Sequence, residues 1–363
     1  MRSAREAAEK QAMKKIETTQ KMHRRRFLRQ VAGGALALGT GELLSSGSAA
    51  AASATPFRMF CSTFLAASVL EINQAADGTV TQKPFAQFGM DSQGRVETTA
   101  GVVVGTNNNL FVFSPGSDQI FMLDLSTGAL KRTLSGPFIK TSHNGAIGPD
   151  KLLYTVNAPS LNAAVGTSRP DSIERFDPST GDHIDTFANT NTNPPVRGPF
   201  GLIWGPDGDL YVASVLAYGF NPNDFPFRPD HIQRFDGKTG QFLGFVVRET
   251  HLTFTMAWHP SGRLLVPSHF FNEVYMYDGS TGAMLDAFAD VPYPIGVAYG
   301  PDGSFYAASF SDQQHVNALL ANFNDLTGAE GAGSILRFNG VSGGKPAATV
   351  ISGLPFAGFI SFA

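Results

Sequence analysis

The sequence predicts an all-β ring built from six copies of one four-stranded unit, and three observations carry that prediction. The composition suits many short strands joined by tight turns: 39 Gly, 22 Pro and 30 Phe among 363 residues. A strand–turn–strand pattern recurs along the chain. The first copy lacks its opening strand, and the chain ends on a strand with no copy of its own.

The first 54 residues read as an address. His23-Arg24-Arg25-Arg26-Phe27-Leu28-Arg29 precedes an apolar stretch from Val31 to Leu44, and Ala52-Ser53-Ala54 stands before Thr55-Pro56. A charged start, a modest apolar run and an A-x-A site make a secretory signal. The arginine pair before x-Phe-Leu resembles the twin-arginine (Tat) signal, which implies carriage by the Tat export machinery to the periplasm or the exterior. The apolar run contains Glu42 and is too short for a bilayer, which needs roughly 20 residues, so no stable membrane span is expected. The polar stretch 1–21 exceeds what the signal needs, which makes Met22 an alternative start.

Charge and cysteine content exclude several classes. The first 54 residues hold 10 of the 27 Lys/Arg and 4 of the 30 Asp/Glu, which leaves 17 against 26 and a net charge of −9 for the body. An acidic body without a basic block is no nucleic-acid binder. One cysteine, Cys61, allows no internal disulfide; its place in an expected strand makes it a buried apolar group. No phosphate-binding loop appears.

The fullest copy of the unit runs Gly201-Leu202-Ile203-Trp204-Gly205-Pro206-Asp207-Gly208, then Leu210-Tyr211-Val212, then His231-Ile232-Gln233-Arg234-Phe235-Asp236-Gly237-Lys238-Thr239-Gly240. Pro sets φ at the second turn position, Asp bonds nearby backbone and Gly takes the positive φ. The Asp-x-x-Thr-Gly turn recurs from Asp124, Asp177 and Asp278, and in degraded form from Asn339. Four strands per copy at this spacing make a β-propeller blade. The expected blades are 57–89 with 354–363, then 97–135, 142–188, 197–247, 251–289 and 293–351. Pro355 to Phe362 reads like Pro199 to Trp204 and is expected to complete the first blade, closing the ring and removing its edges.

These signatures resemble the NHL-repeat and streptogramin-lyase-like propeller superfamily over residues 55–363. The resemblance implies a six-bladed fold. In its lyases a His leads into an innermost strand, the place His143 takes in Ser142-His143-Asn144-Gly145. Its amidating lyases hold zinc with histidines at the channel mouth, with Arg and Tyr nearby; His143, His251, Arg197 and Tyr293 match those in type. Its lactonases hold calcium through Glu, Asn and Asp, for which Glu97, Asn144 and Asp312 are the counterparts.

Function is expected on one face. The turns between strands one and two and between three and four are short and repetitive, whereas the other side carries the insertions Asn157–Asp171, Ser214–Asp230 and Ser309–Gly333. Long loops gathered on one side of a rigid scaffold carry binding or catalysis. These insertions bring Tyr218, Phe220, Phe225, Phe227 and Phe323 to that face. So do His143, His231, His251, His269 and His315, while His183 and His259 are expected at the surface elsewhere. His143 and His251, leading into innermost strands, are the candidate acid–base or metal-ligating pair, with Arg197 to hold an anionic group. His269, Tyr218, Phe220 and Phe225 are candidate ligand contacts. Three readings follow: a module that binds a glycan, small polar molecule or protein, a metal-assisted lyase or hydrolase at the channel mouth, and a purely structural propeller.

Overall fold

The computed structural model describes residues 54–63, 66–95, 97–161, 170–189, 196, 198–215, 230–269, 271–310 and 333–363. The chain divides between Ala52 and Ser53, and the first unit, with the expected signal, lies outside the described residues.

Four of the five sheets are antiparallel and four-stranded. β1 (Phe57–Thr63), β2 (Ser68–Gln74) and β3 (Val80–Gln87) open the chain. β4 (Val102–Val104), β5 (Asn109–Ser114), β6 (Gln119–Asp124) and β7 (Leu130–Ser135) form the next sheet. β8 (Gly145–Ile147), β9 (Leu153–Asn157), β10 (Ser172–Phe176) and β11 (His183–Asn189) follow, then β12 (Pro199–Trp204), β13 (Leu210–Ser214), β14 (Asp230–Phe235) and β15 (Phe242–Thr250). β16 (Ala257–Trp258), β17 (Leu264–Ser268), β18 (Glu273–Tyr277) and β19 (Met284–Asp290) share an eight-stranded sheet with β20 (Pro294–Tyr299), β21 (Phe305–Ser309), β22 (Gly333–Asn339) and β23 (Gly343–Leu354). The two halves of that sheet meet through one parallel pair, Ala289 opposite Gly344. β24 (Ala357–Phe362) pairs antiparallel with β1, so the last strand of the chain lies beside the first.

The turn motifs explain themselves in atomic terms. Asp207 accepts the Asp209 N–H (3.1 Å) through Oδ1 and the Tyr211 hydroxyl (2.7 Å) through Oδ2. Asp150 with Leu152 and Tyr154, and Asp302 with Ser304 and Tyr306, repeat the arrangement. The Gly-Pro-Asp-Gly turn is thereby tied to the Tyr of the strand that follows it. Gly208 takes φ 84° in that turn, but the third sheet has Lys151 at φ 68°. An L side chain in that region costs about 1–2 kcal/mol, and Lys151 is exposed. Lys151→Gly is therefore expected to stabilise the protein by about 1 kcal/mol in chemical denaturation; an unchanged or lower midpoint would contradict the strain.

The Asp-x-x-Thr-Gly turns join one sheet to the next. Asp236 Oδ1 accepts the N–H and the hydroxyl of Thr239, both at 2.8 Å. The glycine that follows lies against the outermost strand of the preceding sheet: a Cβ on Gly240 would stand 2.1 Å from the Phe187 carbonyl oxygen. Gly128 against Phe85 and Gly343 against Phe288 repeat this docking. Apolar cores accordingly lie between neighbouring sheets, as where Tyr154, Val156 and Phe187 meet Leu202, Leu210 and Phe235. Second strands are buried along their whole length, whereas outermost strands such as β7 and β19 are largely exposed. Cys61 is fully buried, and burial pushes its thiol up to about 12.

Contacts between innermost strands run round the molecule and return to their start. Val104 N–H donates to Ser361 Oγ, and Gly101 N–H to the His143 carbonyl. His143 stacks on Phe200, and a Cβ on Gly201 would stand 2.1 Å from the Phe254 carbonyl oxygen. Thr255 Oγ1 donates to the Ile295 carbonyl, and a Cβ on Gly296 would stand 2.5 Å from that of Gly358 in β24. The arrangement is that of an all-β, propeller-like molecule.

Candidate functional site at the inner-strand mouth

β9, β13 and β21 all end on the side from which the innermost strands set out, because each is antiparallel to its innermost neighbour. The three long insertions therefore leave from one face. Most of their residues lie outside the described ones, and with them Tyr218, Phe220, Phe225, Phe227, Asp312, His315, Phe323 and also Arg197.

The backbone of this face is held in a strained form by a repeated clip. Thr141 (φ 48°), Gly198 (52°), Leu252 (57°) and Tyr293 (43°) each precede an innermost strand in the left-handed region. In each case the N–H of that residue donates to a side chain at the threshold of the preceding unit's third strand. Asp118 Oδ1 receives Thr141 (2.9 Å), Asp171 Oδ2 receives Gly198 (2.7 Å), Asp230 Oδ2 receives Leu252 (3.1 Å) and Asn272 Oδ1 receives Tyr293 (2.9 Å). Charge-assisted and amide acceptors offset a left-handed backbone that costs about 1–2 kcal/mol in a non-glycine residue. The signal was present in the sequence as an Asp or Asn just before each third strand, at 118, 171, 230 and 272. It went unread because these residues sit in connections of unequal length.

The clipped segments deliver an arc of rings. His143 stacks on Phe200 at 3.9 Å between centroids, and Phe200 meets Phe254 at 4.7 Å. Phe254 meets His269 at 5.2 Å, and His269 meets Tyr293 at 5.4 Å and Phe310 at 5.9 Å. Phe200 also lies parallel to Phe359 of β24, 6.2 Å away, although their sheets are not neighbours in the circle. Phe200, Phe254, Ile295 and Phe359 thus share one apolar cluster across the axis. Aromatic side chains thus pack at the expected channel mouth, because burying part of their surface is worth more than leaving all of it in water.

The imidazoles in this setting are neutral. Burial pulls His143 down to about 3, against a small opposing effect of the Thr141 backbone, and its buried Nδ1 has no hydrogen-bond partner among the described residues. Burial likewise pulls His269 down to about 4, and its Nδ1 lies 3.3 Å from the Pro294 carbonyl, so the neutral ring carries its proton there. The structure brings His143 to Phe200, and His269 to Tyr293. His251 lies elsewhere, half-buried and edge-on to Phe271 at 4.5 Å. Among the described residues no group of three His, Cys, Asp or Glu is placed to hold a metal ion, and Asp312, one of the expected calcium ligands, lies outside them. Asn144 Oδ1 accepts the Gly145 N–H, and Glu97 Oε2 the Gly89 N–H.

One of the other three described histidines, His259, departs from its expected place. His231 belongs to the outer part of its sheet, edge-on to Phe245, where burial and then the Arg248 charge lower it to about 4. His259 is buried, not at the surface: Nδ1 lies 2.7 Å from Ser261 Oγ and Nε2 3.1 Å from the Val341 carbonyl. The turn that carries it faces the neighbouring sheet, which sequence position alone does not reveal. His183 is partly buried, with Nε2 hydrogen-bonded to Glu174 Oε2 at 2.8 Å.

No protein-family model matches the chain, and no curated protein matches it. Solved structures do. A protein of unknown function from Bacteroides caccae is 11% identical, with a TM-score of 0.58 over 85% of this chain and 99% of that one. A chain of the nidogen/laminin complex is 11% identical, with a TM-score of 0.57 over 84% and 98%. Both likenesses concern the fold alone. A gluconolactonase from Xanthomonas campestris is 16% identical over 69% of this chain and 82% of that one, with a TM-score of 0.47, too low to carry an argument.

Proposed function

We propose that the chain is an exported, six-bladed propeller of the NHL and streptogramin-lyase-like kind, and that it binds a ligand on the face from which the long insertions leave. The count of six treats the eight-stranded sheet as two blades, since one parallel pair joins its halves whereas four-stranded ladders form everywhere else. The observation that carries the binding reading is the aromatic arc from His143 through Phe200 and Phe254 to His269 and Tyr293. Its imidazoles are uncharged at neutral pH, and Phe200 and Phe254 keep part of their surface open. Such a floor suits the ring face of a glycan or a small molecule, or an apolar side chain of a protein.

Saturation-transfer NMR of the purified protein with cello-, chito- and malto-oligosaccharides and with phenyl glucosides tests this. Transfer to at least one probe is expected, and it should fall in Phe200→Leu and Phe254→Leu while thermal melts stay cooperative. Absence of transfer to all probes, or transfer that survives both substitutions, would remove the arc as the binding floor.

A further inference from the structure

A second feature lies on outer strands, away from the aromatic arc. A cavity of about 250 Å3 opens between β7 and β11, lined by Arg132, Leu134, Ser135, Ile139, Phe176 and His183 among others. The strand pair that carries His183 departs from the repeat. Three residues before the turn Asp, other units carry Phe121, Gln233, Tyr275 and Leu336; here the residue is Glu174. Two residues after the turn Gly, other units carry Leu130, Phe242, Met284 and Lys345; here the residue is His183. Elsewhere these two positions are never both ionisable, so the fold itself does not call for this pair.

The pair is built with care for orientation. The Glu174 side chain is 3% exposed and accepts Ser172 Oγ at 2.5 Å, Thr186 Oγ1 at 2.9 Å and His183 Nε2 at 2.8 Å. A carboxylate accepts, so Nε2 is assigned the proton, and in that tautomer Nδ1 keeps a lone pair. Phe138 covers one face of the ring at 3.7 Å and 1°, and Phe176 meets it edge-on at 5.2 Å, which fixes its direction. Nδ1 makes no hydrogen bond within the described chain and is not among its buried unpartnered atoms, so it meets solvent where His183 lines the cavity.

We propose that this cleft is a binding site for a small neutral, hydroxylated ring such as a monosaccharide, with Nδ1 of His183 accepting a ligand hydroxyl. The size argues for one ring, being below the roughly 300–1,000 Å3 of pockets for drug-sized ligands. The charge argues for a neutral one, since Arg132 at the rim is paired with Asp182 at 2.8 Å and presents no unbalanced cation. Polar groups beside Leu134, Ile139 and Phe176 suit a molecule with hydroxyls on its edge and C–H groups on its face. Glu174 is a positioning residue that sets the tautomer.

The test is a titration of the purified, 15N-histidine-labelled protein with D-glucose, D-galactose, D-mannose and myo-inositol, following the ring nitrogens of His183. At least one probe is expected to shift Nδ1 saturably in the millimolar range. His183→Phe keeps the ring stack and should abolish the binding. Glu174→Gln can donate to Nε2, which moves the proton to Nδ1; the Nδ1 resonance should show this, and affinity should fall by about tenfold or more. If no probe moves His183, or if affinity survives both substitutions, the proposal is overturned. Both outcomes leave the aromatic arc, on inner strands, untouched.

Discussion

Removal of residues 355–363 is expected to abolish cooperative folding of the whole body, not just of one sheet. β24 is the innermost strand of the sheet that contains β1, and it also touches β20 and β4 on either side of it. Phe356, Phe359 and Ile360 are almost fully buried, and burying each contributes about 1.5–3 kcal/mol. The loss also frees the ladder partners Met59, Phe60 and Cys61 and the Ser62 hydroxyl, which accepts the Phe359 N–H at 2.9 Å. That sum is comparable with the entire stability of about 5–15 kcal/mol of an ordinary domain. Circular dichroism melts and size-exclusion chromatography should show a non-cooperative, associating chain, partly rescued by a synthetic peptide of residues 355–363. A truncated protein that melts within a few degrees of the intact one would show that the terminal strand does not close the structure.

Acid is expected to destabilise the protein well before its carboxylates are protonated. His143, His231 and His269 ordinarily titrate near 6.5 but stand at about 3, about 4 and about 4 in the fold, each chiefly through burial. Below pH 6.5 the unfolded chain therefore binds protons that the folded chain refuses, and unfolding is favoured increasingly as the pH drops toward 4. One unit corresponds to about 1.4 kcal/mol per group, so the three together cost on the order of 8–10 kcal/mol across this window. Glu71 and Asp124, both held at about 2 by their partners, lose their contribution only from about pH 4.5 downward. Glu249, raised by burial, acts in the opposite sense. Melting temperature should fall steeply from about pH 6.5 to about pH 4.5, and His143→Phe or His269→Phe should each flatten the fall. A melting temperature independent of pH between about 7 and 5 would mean that these imidazoles are not buried as described.

Much of the architecture was legible because turns are chemically local. Asp207 must face both its own turn and Tyr211 four residues on, and the Thr-Gly turns need a side chain within three residues of their Asp. Such motifs recur with the unit and mark its boundaries. The pairing of β24 with β1 was also legible, since an orphan strand at each end of a repeat array has one place to go. The face that carries the long insertions followed from strand direction alone.

What the linear chain could not disclose is which side chains meet across units. Phe200 and Phe359 are 159 positions apart and belong to sheets that do not adjoin, yet they lie parallel over the axis. His143 and His251 look alike in sequence, both leading into innermost strands. Only the register of the neighbouring sheets puts one on Phe200 and the other on Phe271. The clips from Asp118, Asp171, Asp230 and Asn272 likewise join one unit to the next, and the Glu174–His183 pair joins neighbouring strands of one sheet. Amino-acid order determined the unit and its turns, because those depend on bonds spanning a few residues, and its closing partner, because an incomplete unit at each end has one mate. Tertiary structure decided what occupies the axis and which imidazoles stay uncharged, because burial and ring contact depend on chains brought together from distant places.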